Sequence, residues 1–247
     1  MQSVFSLFLG LMMTGALFTQ SAYAAPEPVE KLNHLPSKVY VPSGFDDNDT
    51  SQIVIEGSYP DTCHKVGPTI VTPNSTENKI VIEDQGYYHP QDMCAMMIVP
   101  YTKVVDLNVL AAGEYKIYFK DYLGVDHYST TIKINQSENA GPDDYLYAPI
   151  SEIFTESAVP GDTKVLVLRG SFTNTCMSFK ETKVLNTSPQ VMVVLPLAEY
   201  KDNGNCQKED RPFEEKIILD NHQKGKSLLH VRTMNGGSLN LVVDFGV

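Results

Sequence analysis

The chain has 247 residues, a formal net charge of −11, four cysteines and no tryptophan. Its charges are scattered rather than grouped, and an acidic surface of this kind repels phosphate backbones and anionic headgroups, which argues against nucleic acid and membrane surfaces as partners. An even cysteine count in an exported chain points to disulfides and to an oxidising compartment.

Residues Met1 to Ala24 carry no charged side chain, and an apolar run from Val4 to Phe18 ends near Ser21-Ala22-Tyr23-Ala24. The expectation for residues 1–24 is a secretory signal peptide cleaved after Ala24, which leaves no membrane anchor. An uncleaved anchor is the alternative, weakened by the short apolar run. Residues 25–33 hold two prolines and three charges and are read as a tether.

Then the sequence repeats. Gly57-Ser58-Tyr59-Pro60-Asp61-Thr62-Cys63 returns as Gly170-Ser171-Phe172-Thr173-Asn174-Thr175-Cys176. Cys94, five residues and Pro100-Tyr101 return as Cys206, five residues and Pro212-Phe213. Self-similarity at a fixed period is the mark of a copied structural unit. The units are residues 34–135 and 145–247, and residues 136–144, polar with Gly141-Pro142, read as a short flexible linker. Four cysteines allow three pairings. A unit copied whole closes its own bridge, so Cys63 is paired with Cys94 and Cys176 with Cys206.

Within each unit the apolar residues fall in short, often alternating runs. Ile53-Val54-Ile55 corresponds to Leu166-Val167-Leu168, and Ile80-Val81-Ile82 to Val191-Met192-Val193-Val194. Val104-Val105-Asp106-Leu107 corresponds to Ile217-Ile218-Leu219, Tyr115 to Phe119 to Ser227 to Val231, and Thr131 to Ile134 to Leu241-Val242-Val243. β-Branched and aromatic enrichment between turn residues predicts strands. No stretch after residue 24 has helical period. The predicted fold is all-β: two tandem immunoglobulin-like β-sandwich domains with one disulfide each. The missing tryptophan and the short cysteine spacing depart from true immunoglobulin domains, and a small closed barrel is the alternative. Gly57 and Gly170 are expected at a bulge or turn with positive φ. Pro100 and Pro212 are expected at a strand boundary or edge.

Gly57, Cys63, Cys94, Pro100, Tyr101, Gly113 and Tyr115 together resemble small β-sandwich modules of secreted and periplasmic bacterial proteins. Gly170, Cys176, Cys206, Pro212, Phe213 and Gly225 match in the second unit, where Ser227 replaces the aromatic. The resemblance implies an exported β module and no reaction.

No catalytic motif is present: no Gly-x-Ser-x-Gly, no His-Glu-x-x-His, no phosphate loop, no Cys-x-x-Cys. No catalytic residue and no cofactor is assigned. The function expected is that of a non-catalytic binding or structural protein, periplasmic or secreted, engaging an unknown protein or glycan through loops or the inter-domain cleft. Tyr87, Tyr88, Tyr118, Tyr122, Tyr128, Tyr145 and Tyr147 suit such a surface, since tyrosine offers contact area with a polar tip.

One segment exists in the first unit alone. His89, Met93, Met96 and Met97 lie within nine residues, and thioethers with an imidazole suit Cu(I). This is the alternative function: a periplasmic soft-metal (copper) binder. The reading adopted for these methionines is filler in a buried strand. His64 is read as a loop histidine. His127 and the carboxylates from Asp121 to Asp126 lack calcium-loop spacing and are read as a solvated loop. The sequons at Asn48, Asn74, Asn135 and Asn186 decide nothing.

Overall fold

The structure, a computed structural model, describes residues 29–90, 93–157, 164–202, 204–219 and 224–246. The expected signal peptide lies outside the described residues. Those residues contain strands and no helix. In chain order they are β1 (Glu30–Asn33), β2 (Lys38–Tyr40), β3 (Ser51–Tyr59), β4 (His64–Asn74), β5 (Lys79–Tyr88), β6 (Val99–Asn108), β7 (Gly113–Lys120), β8 (Asp126–Ile134), β9 (Ile150–Ser157), β10 (Lys164–Asn174), β11 (Met177–Ser188), β12 (Val191–Tyr200), β13 (Lys208–Leu219), β14 (Lys226–Thr233) and β15 (Gly237–Asp244). Every apolar run predicted as a strand lies in one of them.

The first sandwich packs the sheet β2-β3-β6 against a five-stranded sheet, β4-β5-β7-β8 with β1 added on β5, and the second packs β9-β10-β13 against β11-β12-β14-β15; β1 aside, the two plans correspond. Each includes one parallel pair, β5 with β7 and β12 with β14. Each sandwich has its own core. Ile53, Ile55, Ile80, Ile82, Leu107, Ile117, Phe119 and Ile132 fill the first, and Leu166, Leu168, Met192, Val194, Leu229 and Val231 fill the second. Alternate residues of each strand supply them because side chains switch faces at every step. The bridges are Cys63–Cys94 and Cys176–Cys206. Both pairs suggest an oxidising, extracytoplasmic environment.

Of the bulge or positive-φ turn expected at the recurring glycines, a register shift is found at Gly170, where β10 meets β9, and none at Gly57. Neither Gly57 nor Gly170 has positive φ. Gly57 faces Tyr101 across the β3–β6 ladder, and Gly170 faces Phe213 across β10–β13. A Cβ on Gly57 would come 2.4 Å from the Tyr101 ring, and one on Gly170 would come 2.7 Å from the Phe213 ring and 2.0 Å from the Pro149 carbonyl oxygen. The missing side chain leaves the floor on which the aromatic ring lies, the pairing that rescues strand glycines. Pro100 and Pro212 sit on β6 and β13, which are edge strands, where the absent N–H goes unmissed.

Two expectations about the connections are corrected. Residues 30–33, read as tether, form β1 and pair antiparallel with Gln85–Tyr88 of β5. The linker is tied down rather than flexible. Ser137 N–H donates to Asp47 (2.9 Å), Asn48 donates to the carbonyls of Asn139 (2.8 Å) and Gly141 (2.9 Å), and Asp143 accepts from the N–H groups of Asn235 and Gly236 (2.8 Å each).

The two sandwiches share a third apolar cluster. Tyr40 and Val54 of the first meet Tyr147, Val191, Val193, Leu195, Leu197 and Leu228 of the second. β12 is therefore buried on both faces, from Val191 to Ala198. Its twin β5 alternates buried and part-exposed positions. Polar pairs surround the cluster. Arg232 grips both oxygens of Asp49 at 2.8 and 2.9 Å, with both side chains buried. Gln52 bonds Ser238 and Asn240, and Lys226 reaches Glu56 at 2.7 Å. The sheets thus stack four deep. The outermost faces carry ion pairs among exposed residues such as Ile70 and Ile218, Lys79–Asp126 and Lys120–Glu83 on one side and Arg169–Glu152, Arg169–Glu214 and Lys216–Glu156 on the other.

Candidate functional site at the loop end of the first sandwich

β5 and β7 run parallel, so the loops that follow them leave from one end of the sandwich. The β3–β4 turn joins them there through Cys63–Cys94. Three connections, residues 60–63, 89–98 and 121–125, therefore lie toward that end: the first two are clasped together, and the third sits further back, level with Asp84, where Asn33 Nδ2 donates to the Asp121 carbonyl at 3.4 Å.

Local hydrogen bonds fix each of them. Thr62 N–H donates to the Ala95 carbonyl (3.2 Å), Ala95 N–H donates to Thr62 Oγ1 (2.9 Å), and His89 N–H donates to the Cys63 carbonyl (3.1 Å). Met97 N–H donates to the Ala95 carbonyl at 2.9 Å, which folds the chain sharply at Met96. In the third loop Asp121 Oδ1 accepts from the N–H groups of Leu123 and Val125 (2.9 Å each), and Asp121 Oδ2 meets His127 Nε2 at 2.8 Å. His127 holds the Asp121 carboxyl below its ordinary range, helped by those N–H groups. Gly124 supplies the left-handed turn residue, with φ +82°. Asp126 pairs with Lys79. The Asp121–Asp126 region is thus an ordered, side-chain-braced turn.

What these loops present is apolar. Met93 is fully exposed, Met96 is 85% exposed, and Met97 and Ile98 also face solvent. Tyr122, Leu123 and Val125 do the same on the third loop. The reading of the methionines as strand filler is overturned: β6 begins only at Val99, and Met93 to Met97 precede it in a loop. His89 stands half-buried at the end of β5, so the structure places His89, Met93, Met96 and Met97 on one connection.

The matched end of the second sandwich has the same clamp and different chemistry. Thr175 N–H donates to the Gln207 carbonyl and Gln207 N–H to Thr175 Oγ1, both at 3.0 Å. Yet the side chains presented by its β12–β13 loop are those of Lys201, Asp202, Asn205 and Gln207, all exposed. Scaffold is shared by the two ends; the exposed thioethers and aliphatics belong to one.

Beneath the loops lies a ring stack. Tyr88, His64, Tyr59 and Tyr101 follow one another with centroids 4.7, 5.5 and 4.7 Å apart, and His34 meets Tyr59 edge-on at 4.9 Å. Asp61 Oδ1 anchors His64 Nδ1 at 2.8 Å, and His64 in turn holds the Asp61 carboxyl below its usual range. His64 is therefore part of the stack rather than a loop residue. Deeper still, Asp84 is fully buried, accepts from Tyr101 OH at 2.7 Å and pairs with Lys103. Burial, then the Asp84 bond, pushes the Tyr101 phenol far up, and burial with nearby Asp84 raises Tyr59 to about 12. Burial, with His64 alongside, lowers His34.

The second sandwich does without this network. Its ladders put Phe172 at the place of Tyr59, Met177 at that of His64, Pro196 at that of Asp84, Phe213 at that of Tyr101 and Glu215 at that of Lys103. The backbone bond from His34 to Asp84 is matched by one from Ala148 to Pro196. The fold thus stands with Phe172, Met177, Pro196 and Phe213 where the first sandwich has Tyr59, His64, Asp84 and Tyr101. Buried polar groups are costly, so their presence here makes the first sandwich chemically distinct at this end.

A cleft of about 220 Å³ opens beside the stack, lined by Tyr59, Thr62, His64, Lys65, Val99 and Tyr101. The inter-domain space expected as a binding cleft is mostly filled by the shared cluster. A groove of about 380 Å³ remains at its border, between Val39 to Ser43, Thr130 and Thr131 on one side and Ser188, Gln190 and Val191 on the other. A third hollow, about 600 Å³, lies in the second sandwich against Ile150, Phe172, Met177 and Met234. Among the described residues the closest carboxylate and sulfur groupings are Asp61 with Cys63 and Cys94, and Asp202 with Cys176 and Cys206. Their sulfurs are locked in disulfides and offer no thiolate.

The model of the family described as the ORF11 beta-sandwich domain matches residues 53–134, from within β3 to the end of β8. That span is a β-sandwich module and contains all three loops. No curated protein and no solved structure matches the chain.

Proposed function

We propose that this chain is an exported, non-catalytic binding protein of the immunoglobulin-like kind, working in a bacterial periplasm or secretome, and that it recognises a protein partner through the three loops at the free end of its first sandwich. The observation that carries the reading is the row of exposed apolar side chains, Met93, Met96, Met97, Ile98, Tyr122, Leu123 and Val125, on loops braced by a disulfide and by side-chain bonds. An exposed apolar cluster on an ordered frame is the usual mark of an interaction site. Bracing favours the same use, because a pre-ordered surface loses little conformational freedom on binding. Methionine adapts its shape to a partner, and aliphatic and thioether groups suit a protein surface better than the hydroxyl-rich face of a glycan.

Site-specific photo-crosslinking tests it. A photoreactive residue placed at Met96 or at Leu123 in the producing cell is expected to trap the same partner protein. The same residue at Gln207, on the matched end of the second sandwich, is expected to trap none. Equal trapping at Gln207, or none at either loop, would refute the proposal.

A further inference from the structure

We infer that His89, Met93, Met96 and Met97 form a binding site for a soft monovalent metal ion of the Cu(I) class. Three observations carry it. The thioethers of Met93 and Met96 stand almost wholly in solvent, whereas Met177 and Met192 pack into the core of the second sandwich. The methionines share one short, anchored connection and are free to converge on an ion. Cys94, between the first two, is fixed to Cys63, and the Met97-to-Ala95 backbone bond turns the chain at Met96. The matched Thr-clamped loop of the second sandwich has the same anchor and no methionine.

The ligand class follows from the donors. Thioether sulfur is neutral, soft and needs no deprotonation, so it selects Cu(I) over the hard cations that carboxylates and carbonyls prefer. Thiolates would bind more tightly, but every cysteine here is in a bridge. Methionine keeps its donor sulfur in a compartment that oxidises thiols. The half-buried His89 adds an imidazole from the firm end of β5.

The test uses the purified, disulfide-intact protein with its methionine methyl groups labelled with carbon-13. Ag(I), a redox-inert stand-in for Cu(I), is titrated first, and Cu(I) is then added from a chelator buffer. The methyl signals of Met93, Met96 and Met97 are expected to shift together and to saturate at a single equivalent, with Met177 and Met192 unmoved. The triple variant Met93→Leu/Met96→Leu/Met97→Leu is expected to bind at least ~100-fold more weakly, and His89→Ala about tenfold more weakly. No methyl shift, or unchanged affinity in the triple variant, would overturn the site. Leucine keeps the apolar area and removes the sulfur. Partner trapping that survives in the triple variant therefore separates failure of the metal site from failure of the docking surface.

Discussion

Gly57 and Gly170 show how much one absent side chain decides. Each lies under an aromatic ring contributed by the facing edge strand. Gly57→Ala drives a methyl into the Tyr101 ring, and a cost of about 1–3 kcal/mol is expected from overpacking. Gly170→Ala meets the Pro149 carbonyl as well as a ring and is expected to cost more, since backbone yields less than a side chain. Urea unfolding of both variants checks the order, and a smaller loss for Gly170→Ala would contradict it. The glycine, the aromatic and their recurrence are legible in the sequence. Their mutual contact is not, because it runs between strands far apart in the chain, and a repeat marks matched positions without saying what touches what.

His230 is a buried titratable group at the contact between the two sandwiches. It is fully buried on β14, against Phe45 of the first sandwich, with Nδ1 2.9 Å from Asn240 Oδ1. Burial, reinforced by neighbouring Arg232, lowers it to about 4. A histidine depressed in the fold and ordinary when unfolded leaves stability whole above pH ~6.5 and removes it as pH falls toward 4, by about 3 kcal/mol in all. His34, lowered for the same reason, adds in the same direction. Denaturant unfolding between pH 7 and 4 is expected to show this loss, and His230→Asn is expected to remove the larger part of it. An unchanged pH profile in that variant would contradict the assignment.

Among elements, the comparison of β5 with β12 is the most instructive. The continuous run Val191-Met192-Val193-Val194-Leu195 is longer and more uniformly apolar than Ile80-Val81-Ile82. Such a run is what a strand buried on both faces looks like. Here the second face is covered by the other sandwich. The difference stands in the sequence, but reading it needs the knowledge that another sheet lies outside. The long edge strands β4 and β11 were illegible for the opposite reason: they are largely exposed, so burial imposes no pattern on them. The loop methionines look like core by composition and are surface by position. Nothing in the sequence relates the Tyr122-Leu123-Gly124-Val125 turn to them, because only the parallel pairing of β5 and β7 brings the two loops toward one end. Removing the brace is a direct probe. Cys63→Ala/Cys94→Ala is expected to lower stability by roughly 2–4 kcal/mol and to speed amide exchange at Ala95 and Met97. Protection there that survives bridge removal would show that the disulfide does not order the loop.

At the scale of the whole molecule, two sandwiches with separate cores are joined as one body by an apolar contact, a tied linker and the Asp49–Arg232 pair. Breaking one side of a buried ion pair leaves a naked charge, and Asp49→Asn is expected to cost about 3–5 kcal/mol. The joint loss of Asp49 and Arg232, as Asp49→Leu/Arg232→Met, is expected to cost much less, which thermal unfolding of the three proteins checks. Ion pairs mark the outer faces of the stack, and the loop end of the first sandwich carries its most exposed methionines, Met93 and Met96. Bridge pairing and the two-unit plan follow from the repeat, and the all-β class from the alternating apolar runs within each copy. The packing of one unit on the other does not, since each half of that contact is the outer face of a sheet and carries no matching motif.

The most direct measurement is the affinity of the trapped partner for the purified protein carrying Met97→Glu/Leu123→Glu, compared with the mirrored change Gln207→Glu/Asn235→Glu in the second sandwich. A loss of about a hundredfold or more in the first protein, with the second unchanged, is the predicted result. Equal affinity in both would contradict the account.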